Sequence, residues 1–324
     1  MEKLYAGLDI HKEKFVGCIM DKDGNITREH TFPSSQKAVE RFLYGIPSSD
    51  ITIAIEACGL WRGAHRILTN MGYSVKLANP KKTHDIACQK KTDKVDARIL
   101  ADLLRTHYLP EVWIPDEQTL QFRDLTRHKA TLTRLKTQVQ GKIRGYLLRK
   151  GVKYGKLSKE DTLATLTDDP DINNLIQVYH SVKQEEKEVM RRIKKIAQNM
   201  KQTTMLMSMP GIAEFSSLMI LAEIGDIRRF SSPKELVSYS GLCRGIYQTG
   251  STERSVPNTA VNKWLKWIIY ECSGRASMLD TRFQNYYYKI KEKKGFKTAR
   301  RATARKMLTI IWYMLTNEEP YHAA

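Results

Sequence analysis

The sequence predicts an α/β domain at the N-terminus followed by a mostly helical remainder. Short apolar runs alternate with helical patterns over the first hundred or so residues, which indicates mixed strands and helices. From about Thr119, apolar residues recur at the spacing of long amphipathic helices. We therefore expect an α/β domain over 1–110, coiled-coil helices over 111–203 and a mostly helical domain over 204–324.

Three strands are predicted to open the chain. Leu4–Ile10 alternates, Phe15–Met20 is apolar, and an Asp-Lys-Asp-Gly-Asn turn leads into Ile26–Phe32. Helices and strands then alternate: a helix from Ser35, a strand over Ile51–Ile55, a helix over Leu60–Met71, a strand over Ser74–Ala78 and a helix from Asp93 to about His107. This order is that of the RNase H-like (RuvC-like) fold, in which the first and fourth strands are neighbours.

Two long helices are predicted next, and we expect them to pair as a coiled coil, either antiparallel within the chain or between chains. The first carries an apolar stripe of Leu125, Leu132, Leu135, Val139 and Ile143, and the second runs from Ile172 to Met200. Further on, Pro210-Gly211 predicts a helix-hairpin-helix-like turn. Its backbone N–H groups suit a phosphate, and the alternative is a simple turn between helices.

The charge is concentrated in two segments. The chain has 54 Lys and Arg against 35 Asp and Glu, a formal charge of +19. Residues 121–160 carry a net +10 and residues 282–306 a net +9, so these segments hold the whole excess. A polyanion, most plausibly nucleic acid, is the expected partner.

Specific cations are predicted to contact nucleic acid in these segments. The first helix places five of them away from its apolar stripe: Arg127, Arg134, Lys142, Arg144 and Arg149. The second segment contains an aromatic run, Tyr286-Tyr287-Tyr288, which suits stacking on unpaired bases. Its predicted contacts are Lys293, Lys294, Lys297, Arg300, Arg301 and Arg305. The alternative for the second segment is a helix that buries Phe283, Tyr287 and Ile290 while its lysines face water.

Four acidic residues of the first domain are predicted to bind metal. Asp9 lies late in the first strand, Glu56 follows the buried strand, and Asp93 and Asp96 share one helix face. Clustered carboxylates need cations, and their hard oxygen ligands suit Mg²⁺, with two ions possible in an in-line phosphoryl displacement. The alternative is that Asp9 caps a strand and that Asp93 and Asp96 favour a helix N-terminus.

Three motifs in this domain carry a family resemblance: Gly7-Leu8-Asp9-Ile10-His11-Lys12-Glu13, Ile55-Glu56-Ala57-Cys58-Gly59 and Lys91-Thr92-Asp93-Lys94-Val95-Asp96-Ala97. They resemble the signature blocks of the DEDD transposases of insertion sequence family one hundred and ten. Met209-Pro210-Gly211-Ile212, Ala222-Glu223-Ile224-Gly225-Asp226, Arg229-Phe230 and Tyr239-Ser240-Gly241-Leu242 are similar to the family's C-terminal transposase domain.

The resemblance implies Mg²⁺-dependent DNA strand cleavage and transfer by a homo-oligomer, a dimer or tetramer, with a structured guide RNA from the element's ends. It also implies a C-terminal serine that joins covalently to DNA. At the expected position this chain has Thr249, and Ser251 lies two residues further on, so the nucleophile stays open between the two hydroxyls. Two rival functions are a junction-resolving nuclease, in which water attacks, and a non-catalytic nucleic-acid-binding copy of such an enzyme.

The sequence also predicts a soluble, cytoplasmic, nucleoid-associated protein. No apolar run approaches the roughly 20 residues of a membrane-spanning helix. The five cysteines are far apart and form no Cys-x-x-Cys pair, so we expect neither a disulfide framework nor a zinc ribbon.

Overall fold

The computed structural model describes residues 3–87, 92–151, 169–243 and 261–322, together with the backbone of 245–249 and 252–256. The chain divides into two compact units, Met1–Ile114 and Pro115–Ala324. We call them the N-terminal and C-terminal units. The finer division at 110 and 203 stays a prediction.

The N-terminal unit is a five-stranded mixed sheet with helices. In chain order its elements are β1 (Leu4–Ile10), β2 (Lys14–Met20), β3 (Ile26–Pro33), α1 (Gln36–Phe42), β4 (Ile51–Glu56), α2 (Trp61–Asn70), β5 (Ser74–Ala78), α3 (Pro80–Ala87) and α4 (Asp93–Arg105). The sheet order is β3-β2-β1-β4-β5, with β1 antiparallel to β2 and parallel to β4. The expected adjacency of the first and fourth strands is confirmed, whereas α3 was not predicted.

Helices cover both faces of this sheet. On one face Leu8 and Ile53 pack with Phe42 of α1 and Leu68 of α2. On the other face α4 supplies Ala97 and Ala101 against β2, and Leu100 and Leu104 against Ala54 of β4. Strand side chains alternate between the two faces, so each strand contributes to both layers.

Gly7 sets the distance between β1 and α4. A Cβ at this position would lie 2.1 Å from the carbonyl oxygen of Ala97 and 2.6 Å from the backbone nitrogen of Ala101. No side chain fits there, because both neighbours are backbone atoms that cannot rotate away. The N-terminal end of α4 is thereby held against the carboxyl end of β1.

The C-terminal unit is mostly helical. Its elements are α5 (Glu117–Arg149), α6 (Pro170–Gln198), α7 (Lys201–Met207), α8 (Glu214–Ile224), a 3₁₀ turn (Ile227–Arg229), α9 (Pro233–Tyr239), β6 (Gly245–Thr249), β7 (Thr252–Val256), α10 (Lys263–Leu279), α11 (Thr281–Lys294) and α12 (Phe296–Asn317). Its core joins α7, α8, α9, α10 and α12 through buried side chains such as Leu206, Ile220, Leu236, Ile269 and Leu308.

The long helices α5 and α6 pack antiparallel within the chain. Near the C-terminus of α5, Val139, Ile143 and Leu147 pack against Ile172, Ile176 and Tyr179 at the start of α6. Nearer the middle of α5, Leu132 packs with Val189 and Ile193, towards the end of α6. Lys136 pairs with Glu186, and the Tyr146 hydroxyl bonds Asp169, in the same antiparallel order. Leu135 was expected in the apolar stripe but is 40% exposed, because its position lies at the edge of that stripe. Supercoiling of the pair stays a prediction.

The Pro210-Gly211 turn is packed against another helix. Gly211 has a φ of +90°, and a Cβ there would lie 2.6 Å from the carbonyl oxygen of Cys272 and 2.8 Å from the nitrogen of Ala276. This glycine is therefore required by its contact with α10. A phosphate contact at this turn stays a prediction.

The stretch around Thr249, within the domain expected to be mostly helical, contains two strands. β6 and β7 pair antiparallel from Gly245↔Val256 to Thr249↔Thr252. The alternating, β-branched sequence of these segments favours the strand conformation over a loop. Among the described residues, no helix is long and apolar enough to cross a membrane.

We predict that Gly7→Ala destabilises the N-terminal unit by about 3 kcal/mol, because the added methyl group must push α4 off β1. Gly63→Ala in α2 is the matched control, since a Cβ there meets nothing within 4 Å; it should leave stability unchanged or raise it slightly. Urea unfolding followed by circular dichroism measures both. Equal stability of the two variants would contradict the close approach at Gly7.

Candidate metal centre and nucleic-acid surfaces

Asp9 and Glu56 lie at the carboxyl ends of two adjacent parallel strands. The β1–β4 register pairs Leu8 with Ile55, and both side chains are fully buried on the face covered by α1 and α2. Because successive side chains alternate, Asp9 and Glu56 belong to the opposite face, on which α4 lies. The sheet therefore brings these two predicted site residues to one edge and one face.

Asp93 and Asp96 lie in the first turn of α4. Thr92 caps this helix, its hydroxyl oxygen accepting a hydrogen bond from the backbone nitrogen of Val95 at 3.3 Å. Acidic residues in the first turn also interact favourably with the helix dipole. Helix preferences therefore explain why α4 starts here, and the contact at Gly7 explains why this start lies beside β1.

The structure brings Asp9, His11 and Asp93 together. One ligand atom from each of these three residues lies within 4.8 Å of the others. The Nε2 atom of His11 is 3.0 Å from Oδ2 of Asp9 and 3.5 Å from Oδ1 of Asp93. Glu56 and Asp96 lie outside this group of three.

Lys14 supplies a positive group at the cluster. Its Nζ atom donates to Oδ2 of Asp93 at 2.6 Å. This hydrogen bond, aided by the nearby His11 ring, holds the pKa of the Asp93 carboxyl below its ordinary value. Asp93 is therefore ionised at neutral pH and attracts cations.

Sequence reasoning did not assign His11 and Lys14 to the site. The signal for His11 is its position two residues after Asp9, because residues i and i+2 of an extended chain share a face. Lys14 opens β2, which is antiparallel to β1, so the short turn between the strands returns it to the same edge. Both side chains place positive or hydrogen-bonding groups against the carboxylates.

A buried glutamate organises the centre of the C-terminal unit. Glu223 of α8 is fully buried, and Arg127 of α5 donates to its two carboxylate oxygens at 2.7 and 2.8 Å. Asn262 donates to the same carboxylate at 2.8 Å and to the Tyr239 hydroxyl at 3.0 Å. Arg123 donates to the carbonyl oxygens of α8. This network connects α5, α8, α9 and the start of α10.

The predicted cations of α5 differ in their surroundings. Arg127 is engaged by Glu223 and lies 5.8 Å from the Trp264 ring. The other four predicted contacts have exposed side chains: Arg134, Lys142, Arg144 and Arg149. Arg127 therefore has a structural contact of its own, and its role towards nucleic acid stays a prediction.

The second basic segment forms the end of α11 and the start of α12. Its exposed members are Lys293, Lys294, Lys297 and Arg305. Arg300 and Arg301 are half-buried: the Arg300 guanidinium lies 3.5 Å from Glu271, and Arg301 donates to the Tyr270 hydroxyl at 3.4 Å. The four exposed members are open to phosphates, whereas Arg300 and Arg301 also have contacts within the protein.

One basic face was not predicted. Along α6 a run of cations at helical spacing borders a cavity of about 730 Å³ beside α5: Lys183, Lys187, Arg191 and Lys194. It was missed because nearby acidic residues such as Glu185 and Glu188 leave α6 with only a small positive excess when charge is counted along the chain.

The two candidate nucleophiles lie beyond the described side chains. Thr249 ends β6, with only its backbone described, and Ser251 lies outside the described residues. The choice between them stays as the sequence left it.

Two family models match the chain. A model described as a DEDD transposase of the IS110 type matches residues 6–150, and the model of the IS116/IS110/IS902 transposase family matches residues 203–288. The first contains all four predicted carboxylates. The second contains Glu223 and the stretch with Thr249 and Ser251.

Relatives with curated names are similar over most of their length. The transposase for insertion sequence element IS1111A of Coxiella burnetii is 22% identical over 335 residues, covering 97% of this chain and 90% of the relative. The pilin gene-inverting protein of Moraxella bovis is 24% identical over 341 residues, covering 99% of this chain and 98% of the relative. A putative transposase of Sinorhizobium fredii is 24% identical over 285 residues, covering 83% of this chain and 70% of the relative.

We predict that Arg127→Ala lowers the stability of the C-terminal unit by about 3 kcal/mol, because it leaves the buried Glu223 carboxylate without its bidentate partner. Arg134→Ala, on the same helix but exposed, should cost less than about 1 kcal/mol. Thermal unfolding of the two variants measures the difference. Wild-type stability in Arg127→Ala would contradict a structural role for this ion pair.

Proposed function

Since the chain belongs to the IS110 family of DEDD transposases and recombinases, we propose that it cuts and rejoins DNA at a divalent-metal site built on four carboxylates: Asp9, Glu56, Asp93 and Asp96. The observation that carries this proposal is the convergence of Asp9 and Asp93, from a strand and a helix 84 residues apart in the sequence, within one group of ligand atoms.

The residues fit a hard divalent cation. Carboxylate oxygens are the ligands that Mg²⁺ prefers, and the Asp9 side chain is only 16% exposed, so its charge is weakly screened by water. The Lys14 ammonium already lies against an oxygen of Asp93, and the His11 ring lies within hydrogen-bond distance of Asp9, so the oxygens face polar and cationic groups. Bound there, Mg²⁺ would supply charge stabilisation for an in-line phosphoryl displacement, and the four carboxylates provide enough ligands for two ions.

The neighbouring side chains have positioning roles in this proposal. His11 bonds Asp9 and restricts its carboxylate to one orientation. Lys14 does the same for Asp93 and keeps it ionised. Because Gly7 fixes α4 against β1, the two carboxylates stay within reach of a shared ligand.

The chemistry proposed for the C-terminal unit is attack by a hydroxyl on a DNA phosphate. Either Ser251 or Thr249 serves as the nucleophile: its oxygen forms the bond to phosphorus, and the deoxyribose oxygen of the cut strand leaves. The exposed cations of α5, α11 and α12 would hold the nucleic acid, including a structured guide RNA. We propose that a dimer or tetramer performs the reaction. The Moraxella bovis relative, a pilin gene-inverting protein, supports DNA rearrangement by inversion as well as by transposition.

We predict that Asp9→Asn and Asp93→Asn each lower Mg²⁺-dependent strand cleavage by about 1,000-fold, because several kcal/mol of charge stabilisation are lost. Asp102→Asn is the matched control: Asp102 lies on the same helix as Asp93 but pairs with Arg105, and the variant should cleave normally. Cleavage of labelled element-end DNA measures the rates, and filter binding checks that DNA affinity changes less than about twofold. Full cleavage by Asp93→Asn would overturn the proposed site.

We predict that a covalent protein–DNA adduct can be trapped on denaturing gels and that one of two variants, Ser251→Ala or Thr249→Ala, abolishes it. Ser255→Ala, on the neighbouring strand β7, is the control and should retain the adduct. Cleavage that yields free 5′-phosphate ends without any adduct would support the rival junction-resolving nuclease. An adduct that persists in both variants would exclude both hydroxyls.

A further inference from the structure

A cavity of about 600 Å³ lies between α10, α11 and α12. This size falls within the roughly 300–1,000 Å³ of typical ligand clefts. Three aromatic and three cationic side chains line it: Tyr287, Tyr288, Phe296, Arg275, Lys291 and Arg300. Neither family resemblance nor the proposed catalytic sites assign it a role.

The aromatic rings are partly exposed at the cavity. Tyr287 contacts Tyr288 and Phe296 edge to face, with ring centroids 5.4 and 6.5 Å apart. Tyr288 is 49% exposed and Phe296 is 54% exposed, and the Lys291 ammonium lies 5.4 Å from the centre of the Tyr288 ring. Large exposed aromatics grouped at a concave surface are typical of a binding site.

The charges around these rings are unbalanced. Within the described part of the chain, Arg275 and Lys291 have no carboxylate partner. Glu271 is the acidic group of the lining, and it faces the Arg300 guanidinium at 3.5 Å. The Nε atom of Arg300 is buried and has no hydrogen-bond partner among the described residues. The cavity therefore favours a ligand with a negative charge and a hydrogen-bond acceptor.

Two backbone features also favour a bound anion in the cavity. α12 begins at Phe296 after Gly295, and no side chain caps its N-terminus, so the positive end of its dipole lies at the cavity. Gly274 of α10 lines the cavity, and a Cβ built there meets nothing within 4 Å. A small residue at this position leaves the space open.

We propose that this cavity binds one unpaired nucleotide of the nucleic acid, with the base stacked on the exposed aromatic rings and the phosphate neutralised by the surrounding cations. A paired base inside a duplex cannot offer its face to these rings, because neighbouring base pairs cover it. Lys293, Lys294 and Lys297 follow next in the chain and are exposed, as expected for contacts to the flanking backbone. The inference rests on the proposed function, which supplies nucleic acid as the ligand.

The test compares a duplex carrying a single bulged 2-aminopurine with the fully paired duplex of the same length, each made as DNA and as RNA. The full chain is titrated without divalent cations, so that cleavage does not interfere. We expect at least about fivefold tighter binding of the bulged duplex, from stacking of one base, together with a change in 2-aminopurine fluorescence. Preference in the DNA arm, the RNA arm or both identifies the source of the nucleotide.

Gly274→Leu fills the cavity and is expected to remove the bulge preference, with affinity for the paired duplex changed less than about twofold. Gly63→Leu is the matched control, because its position is also helical and open but lies in the N-terminal unit. Tyr288→Ala removes an exposed ring and should lose the preference too, which covers the case in which Gly274→Leu fails to fold. A bulge preference retained in both cavity variants, or absent from the wild type, would overturn the proposal.

The same variants distinguish failure of the proposed metal site from failure of the proposed nucleotide cavity. Asp9→Asn should lose cleavage and keep the bulge preference. If Asp9→Asn cleaves normally while Gly274→Leu loses the preference, the cavity is supported and the metal site is not. If Asp9→Asn is inactive while both cavity variants keep the preference, the metal site is supported and the cavity is not.

Discussion

The close approach of α4 to β1 at Gly7 is the contact on which the candidate metal centre depends. Backbone atoms of α4 occupy the space that any side chain at this position would need. The first turn of α4 therefore lies beside the end of β1, and Asp93 reaches the same point as Asp9. Two acidic groups held this close repel each other, so folding is favoured only with compensating cations nearby.

His11 and Lys14 provide that compensation from the chain itself. Their contacts orient the two carboxylates, and the Lys14 hydrogen bond holds the pKa of Asp93 below its ordinary value. In the C-terminal unit the negative charge of a buried glutamate is compensated by hydrogen-bond donors from the chain. Glu223 is fully buried, and its carboxylate accepts hydrogen bonds from Arg127 and Asn262. The carboxylates of the candidate metal centre thus stay partly exposed, whereas the Glu223 carboxylate is enclosed by its partners.

The sequence predicted that the first and fourth strands are neighbours, because alternation and strand ends determine this locally. The structure brings Asp9 and Asp93 together, and the role of the four carboxylates as a metal site stays a prediction. The sequence did not predict α3, since a short, exposed helix has little periodicity. It also read Arg127 only as a surface cation, because its partner Glu223 lies 96 residues further along the chain. The cavity beside α11 was foreseen only as aromatic and basic residues in one segment. Its lining also needs Gly274 and Arg275 of α10, which the fold alone brings there.

Crystals of the full chain soaked in Mn²⁺ test most directly whether Asp9 and Asp93 share a divalent cation. We expect an anomalous difference peak about 2.0–2.2 Å from a carboxylate oxygen of each residue, displacing Lys14 from Asp93. The peak should disappear in Asp9→Asn. A site that stays empty at saturating Mn²⁺, with Lys14 still bonded to Asp93, would contradict the metal centre.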